Sequence, residues 1–309
     1  MKLLAGATRQ CIYAEVCRTF PAPASAHKIR PRKEAQPHKE EPMLDVVFGQ
    51  ASDFGKVRTN NEDSMASFIP SSRWQGRSHG FLFAVADGVG GMDFGEVASA
   101  LAVNTITSEF ASAPAGSMLS SLMPKLVEQV NNAVHDYSLK GEYQGRKMAT
   151  TLVACALRYD QAVISHVGDS RCYHVRDGSA KQITQDHTWV NEQRKLGLIS
   201  AEEAATSDSR HVLIRSIGPE LFVAPDTTTI NIQPDDIFVL CSDGLYDCLS
   251  NDKLAELVTR SKKMDEVARD LVAYAVEHDG GDNTTAQVIR IRAVEQVGMY
   301  RGRPYRLQV

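Results

Sequence analysis

Phe81-Leu82-Phe83-Ala84-Val85-Ala86-Asp87-Gly88-Val89-Gly90-Gly91 sets six apolar residues directly against a carboxylate and a glycine-rich turn. A short apolar run bounded by a turn signal reads as a strand buried on both faces. It falls far short of the roughly 18 apolar residues that a membrane-spanning helix needs, and no other stretch of the sequence is a better candidate. A buried strand delivers its last side chain to a fixed place. The glycine that follows lets the backbone turn tightly and bring a carbonyl to the same point. Asp87 and Gly88 therefore read as parts of a site.

The pattern recurs along the chain. Phe238-Val239-Leu240-Cys241-Ser242-Asp243-Gly244, Gly168-Asp169-Ser170-Arg171 and Gly280-Gly281-Asp282-Asn283 each lie beside an apolar run. One Asp-Gly pair by itself is an ordinary turn. Four carboxylates at strand ends supply the rigid oxygen cluster that hard divalent cations bind. Upstream, Val57-Arg58-Thr59-Asn60-Asn61-Glu62-Asp63 places a guanidinium ahead of two adjacent carboxylates. Arg58 suits a bidentate hold on a phosphate, and Glu62 and Asp63 suit metal-bound waters. Standing alone, the segment reads as a solvated loop with an exposed ion pair.

Apolar or alternating runs predict further strands at about 44–51, 64–69, 151–158, 161–167, 171–176, 228–233, 237–241 and 284–292, beside the one at 80–86. Helical periodicity predicts helices over about 95–111, 118–139, 188–196, 251–260 and 264–277. Strands come in runs and so do helices, which favours an α+β layered sandwich over an alternating α/β fold. No repeat of fixed period is present.

With 309 residues, 43% hydrophobic, 23% charged, 12 Pro and 21 Gly, the composition is that of a globular protein with a sizeable core. The net charge of −4 argues against a sequence-blind nucleic-acid binder. Its distribution is uneven. Residues 1–43 hold eight Lys/Arg and four Glu, hence +4, which leaves −8 for the rest. That first segment carries Pro21, Pro23, Pro31, Pro37 and Pro42 and no sustained period, so it reads as a flexible basic leader, with folding starting near Met43. Arg9 and Glu15 interrupt any secretory signal; a transit peptide or a true start at Met43 are the other readings. Cys11 and Cys17 lie in the leader. Cys155, Cys172, Cys241 and Cys248 lie in or beside apolar runs without metal-ligand spacing, and read as reduced thiols of a cytoplasmic protein.

The ordered set Arg58-x-x-x-Glu62-Asp63, Asp87-Gly88-x-Gly90-Gly91, Met148-x-Thr150-Thr151, Gly168-Asp169-Ser170-Arg171, Ser242-Asp243-Gly244-Leu245 and Asp282-Asn283 resembles the metal-dependent protein phosphatases of type 2C in their compact bacterial form. The resemblance spans about residues 45–292. It implies a four-layer α-β-β-α sandwich, two central antiparallel sheets flanked by helix pairs, with a two-metal centre at one edge. Asp87 would bridge two Mg2+ or Mn2+ ions, the Gly88 carbonyl would serve one, and Asp243 and Asp282 the other. Glu62 and Asp63 would act through metal-bound waters, and Arg58 would hold the substrate phosphate. Asp169 matches a position that, with Asp243, can hold a third and looser ion; Gly168, Ser170 and Thr150 read as supports. The implied reaction is in-line attack of water on phosphoserine or phosphothreonine of phosphoprotein substrates, reversing a bacterial Ser/Thr kinase, by a cytoplasmic monomer. No Cys-x5-Arg nucleophile signature surrounds any cysteine.

There are departures from the family pattern. Val89 and Met92 stand where many members carry a histidine. His187, in Gln185-Asp186-His187-Thr188, has a side chain suited to leaving-group protonation, yet reads better as packed at a helix start. His166 reads as a core residue behind Gly168. Residues 188–218, with a helix start at Ser200-Ala201-Glu202-Glu203, resemble the family's flap. The catalytic domain is thus expected over 44–293 and a tail over 294–309, whose basic and aromatic stretch Tyr300-Arg301-Gly302-Arg303-Pro304-Tyr305-Arg306 reads as a disordered end. Two rivals remain: a two-metal phosphodiesterase, and a non-catalytic phospho-binding scaffold on the same fold.

Overall fold

The computed structural model describes residues 43–90, 94–300 and 303–306. The expectations for the leader ahead of Met43, and for Gly91 and Met92, fall outside those residues. In chain order the first elements are β1 (Asp45–Asp53), β2 (Asp63–Phe68), α1 (Arg73–Ser78), β3 (Phe81–Asp87), α2 (Gly95–Ser112) and α3 (Leu119–Ser138). Then come β4 (Leu152–Arg158), β5 (Gln161–Val167), β6 (Arg171–Arg176), β7 (Ser179–Gln182), α4 (Trp189–Lys195) and α5 (Ala201–Thr206). The last are β8 (Asp226–Asn231), β9 (Ile237–Cys241), α6 (Asp243–Tyr246), α7 (Asn251–Thr259), α8 (Met264–His278), β10 (Thr284–Ala293), β11 (Val297–Tyr300) and β12 (Arg303–Arg306).

Two five-stranded antiparallel sheets, in the orders β1-β10-β9-β6-β7 and β2-β3-β4-β5-β8, form the middle of the molecule. Strand alternation explains why their sequences read as continuous apolar runs. In β3, Leu82, Ala84 and Ala86 face α2 and α3, while Phe83 and Val85 face the other sheet. In β9, Ile237, Val239 and Cys241 pack on α7 and α8, while Phe238 and Leu240 turn to the sheet that holds β3. Antiparallel sheets normally wet one face and alternate in polarity; here both faces of both sheets are covered. Three cores, one between each helix pair and its sheet and one between the two sheets, separate the four layers of the expected sandwich.

The sequence missed β7, although Asp177-Gly178 in its hairpin turn takes φ 51° and 76°, the left-handed values such two-residue turns require. It also missed α1, which buries no residue, and α6, which begins at Asp243 where a turn was expected. The region expected to be disordered pairs β11 with β12 from Val297↔Arg306 to Tyr300↔Arg303. Cys155, Cys172 and Cys241 are free, buried thiols, and burial pushes Cys155 and Cys241 up to about 12. Among the described residues no helix is long and apolar enough to cross a membrane.

Candidate metal centre

Antiparallel pairing brings the decisive strand ends to one edge. Asp63 opens β2 and Asp87 closes β3, and the two are direct cross-strand partners. In the other sheet Cys241 pairs with both Ala286 and Arg171, so Asp243 just after β9 lies near Asp282 before β10 and Asp169 before β6. The result is a cleft of about 520 Å3 lined by Arg58, Glu62, Asp87, Gly88, Asp169, Asp243 and Asp282 among others. Of the expected site residues, Asp63 alone stands behind the lining. It is buried and accepts from Ser242 Oγ at 2.7 Å.

Short-range bonds fix each group. Thr151 Oγ1 accepts from the Asp87 amide at 2.9 Å, and Thr150 Oγ1 donates to the Asp87 carbonyl at 2.7 Å. Ser170 Oγ lies 2.6 Å from Thr151 Oγ1, so the expected supports do support. The glycine at 88 is required by space, since a Cβ there would come within 2.5 Å of the Gly95 backbone at the start of α2. Asn283 ties its own loop to the connection between β1 and β2: its Oδ1 accepts from Glu62 N at 2.8 Å, and its Nδ2 donates to the carbonyls of Phe54 and Asn60. Gly168 has φ +101°, and His187 grips its peptide on both sides, with Nδ1 accepting from Gly168 N at 3.1 Å and its own amide donating to Gly168 O. That places His187 in the packed role; it is 1% exposed, and burial first, then the stacked His166, lowers its pKa to about 4. His166 is buried too, its Nε2 2.9 Å from Gln185 O.

The electrostatics of the cleft are those of carboxylates that outnumber their counter-charges. Burial pushes Asp63 up to about 6 and Asp243 up to about 8, the latter also through Asp169, and holds Asp87 well above the ordinary range. Burial likewise raises Asp169 and Glu62. Arg171 offers no relief: its guanidinium binds Asp186 through two nitrogens and lies 3.4 Å over the Tyr246 ring. Asp63 Oδ1 and Asp243 Oδ1 are buried and have no hydrogen-bond partner among the described residues. Orphaned, crowded acceptors of this kind fit a divalent cation, and the oxygen-only donor set fits Mg2+ or Mn2+.

Among the cleft residues that escaped the sequence reading are His211 and Asp247. His211, on the loop after α5, reaches Asp243, Asp169 and Asp247, and the carboxylates of Asp169 and Asp247 beside its ring raise its pKa to about 10. Asp247, just past α6, is held down by that same ring despite its burial. Neither has a motif; the one signal was that His211 falls within the expected flap and Asp247 follows Ser242-Asp243-Gly244-Leu245.

An α-β-β-α sandwich with such a cleft belongs to the metal-dependent phosphatases, and comparison with known proteins agrees. Residues 56–276 match the family model described as Protein phosphatase 2C. The serine/threonine phosphatase stp of Listeria monocytogenes is 31% identical over 241 residues, covering 77% of this chain and 93% of that one. The serine/threonine phosphatase of S. agalactiae superposes with a TM-score of 0.72 at 31% identity, covering 80% of this chain and all of the other. The catalytic domain of the phosphatase PstP, solved in complex with two manganese ions, gives 0.68 at 32% identity over 81% of this chain and 100% of that one. The chain belongs to the protein phosphatase 2C family, whose members are metal-dependent serine/threonine phosphatases.

Proposed function

We propose that the chain hydrolyses phosphoserine and phosphothreonine on protein substrates, using two Mg2+ or Mn2+ ions at the sheet edge. Carrying the reading are the orphaned buried oxygens of Asp63 and Asp243 in a cleft whose carboxylates outnumber its cations. Asp87, the Gly88 carbonyl, Asp243 and Asp282 would hold the pair, Glu62 and Asp63 would order its waters, and Asp169 with Asp243 would offer a third, looser position. When bound, the ions lower the pKa of a water and neutralise charge on the attacked phosphate. The chain's own part is positional. Arg58, exposed at the rim, presents a planar guanidinium to the phosphate oxygens. The Thr150, Thr151 and Ser170 hydroxyls keep Asp87 from drifting, and Asn283 keeps Glu62 in line.

The same reading divides the chain into a leader over 1–43, a catalytic domain over 44–293 with its flap at about 188–218, and a tail over 294–309. It also has the protein oppose a bacterial Ser/Thr kinase as a cytoplasmic monomer. The deciding experiment is phosphate release from a phosphothreonine peptide with Mn2+, with Mg2+ and with chelator. Metal-dependent release is the expected result. Release from a bis-ester but not from the monoester would overturn it in favour of a phosphodiesterase; metal-dependent peptide binding without release would make the protein a scaffold.

A further inference from the structure

The flap leaves the sheets at His187 and returns at Arg215, and it has little core of its own. α4 buries Val190 and Asn191, and α5 buries none of its described residues. A segment with so few buried contacts takes its setting from the place where it is anchored, here the neck formed by its two ends. There Ile214 N donates to His187 O at 2.9 Å, Trp189 N donates to Val212 O at 2.8 Å, and Thr188 and Leu213 face each other in a single β-bridge. One side chain outside the flap grips both ends. Asp226, the first residue of β8, sets Oδ1 2.9 Å from Arg215 Nη1 and Oδ2 3.3 Å from His187 Nε2. We infer that Asp226 is a positioning residue for protein substrates, which sets the flap against the cleft by holding Arg215 and His187, one carboxylate oxygen to each end of the neck.

The inference rests on the proposed function for its substrate and gives a part to a residue outside the cleft. His187 Nδ1 accepts from Gly168 N, so Nε2 carries the proton and points it at Asp226. Donor atoms of His166, His187 and Asp226 lie within 4.8 Å of one another, the spacing of a metal site, yet His187 has no lone pair left for an ion. The cluster is a clamp instead. Arg215 Nη1 donates to Ala224 O as well, at 2.9 Å, which ties the returning end of the flap to the approach to β8. From the neck the chain leads straight into the cleft, whose lining includes Arg210, His211 and Leu213. A small aryl phosphate occupies only the carboxylate end of that cleft, whereas a polypeptide must also pass these flap residues. His187 reaches Gly168 through both its ring and its amide, so it keeps that peptide in place without Asp226. Loss of the carboxylate therefore loosens the flap and spares the metal centre. The Asp226 side chain is 43% exposed, so its two contacts add little to global stability.

Asp226→Asn in the full-length protein tests the clamp. Asparagine keeps the shape but offers one accepting oxygen and turns an NH2 toward a donor, so it can hold only one end of the neck. With saturating Mn2+, kcat/KM for a phosphothreonine peptide should fall about 5- to 10-fold, mostly through KM, while kcat/KM for para-nitrophenyl phosphate moves by less than about 2-fold. Amide hydrogen exchange over residues 187–190 and 212–215 should quicken by about the same 5- to 10-fold. Arg215→Gln releases the returning end from the other side and should reproduce both effects, and it decides the matter should Asp226→Asn fail to fold. Combining the two substitutions should add little to either alone. Unchanged exchange at the neck, or equal losses on the two substrates, overturns this inference and leaves the proposed function standing. Failure of the unaltered protein to hydrolyse either substrate overturns both.

Discussion

Arg58 Nη2 donates to Asp282 Oδ2 across 2.7 Å, so the side chain proposed to hold phosphate is the present counter-charge of a side chain proposed to hold metal. Both are more than a third exposed, at 43% and 38%, which limits the pair's worth to about 1 kcal/mol or less. The bond with Asp282 is also the first reason the guanidinium's pKa is raised. Arg58→Ala should therefore separate two effects. Catalytic efficiency falls about 10- to 100-fold through weaker phosphate binding, while divalent-ion affinity stays level or tightens up to about 5-fold because Asp282 loses its competitor. Steady-state kinetics together with calorimetric ion titration check both. A loss of ion affinity equal to the loss of efficiency would remove Arg58 from the phosphate.

The raised carboxyl pKa values predict how the metal-free protein responds to pH. An acid whose folded pKa lies above its unfolded value stabilises while protonated. That contribution is present below about pH 4 and is lost as the pH rises through about 6 for Asp63 and about 8 for Asp243. With chelator, Tm should fall by about 5 °C or more between about pH 5.5 and about pH 8.5, and added Mn2+ should remove most of the slope. Asp243→Asn should abolish metal-dependent turnover yet raise the metal-free Tm at the alkaline end, since it deletes one of the repelling charges. A metal-free Tm that is flat with pH would mean the cleft carboxylates are not strained.

How much of this was open to a reader of the sequence depends on the range over which each residue is determined. Phe81 to Asp87 and Phe238 to Cys241 announce their strands because both faces are covered, and a strand that ends in Asp announces its own site. Asn283 was legible as half of an Asp-Asn pair, but its three loop partners lie some 220 residues upstream and no local rule names them. α6 escaped because four residues carry no period, and Asp243-Gly244 at its start read as a turn. His211 was the least legible. It reaches Asp169 and Asp243 through the fold of an irregular loop whose neighbours, Arg210 and Val212, give no pattern, and only the third dimension puts it opposite the carboxylates.

Asn283→Ala tests the loop junction. Asn283 is 5% exposed, and its removal leaves the Glu62 amide and two carbonyls without their partner. Each buried polar group left unpaired costs about 1–3 kcal/mol, part of which water entering the gap restores, so a loss of about 2–4 kcal/mol in urea denaturation is expected. Turnover at saturating metal should fall as well, because Glu62 and Asp63 lose their alignment. Unchanged stability with unchanged turnover would show that the two loops hold their places without Asn283.

Gly88→Ala probes the tight approach between β3 and α2. The added methyl would lie 2.5 Å from Gly95 C and 2.6 Å from Gly95 O, and both are backbone atoms at the start of α2 that no rotamer change can move. Either α2 withdraws from the sheet, opening the core around Ala98, Ala102 and Ile106, or the Gly88 peptide rotates and carries its carbonyl out of the cleft. The first outcome costs about 2–5 kcal/mol in the manner of a disturbed core. The second spares stability but removes a proposed metal donor. Denaturation and ion titration of the same variant tell the two apart, and a variant with normal stability and normal ion affinity would contradict the contact on which both depend.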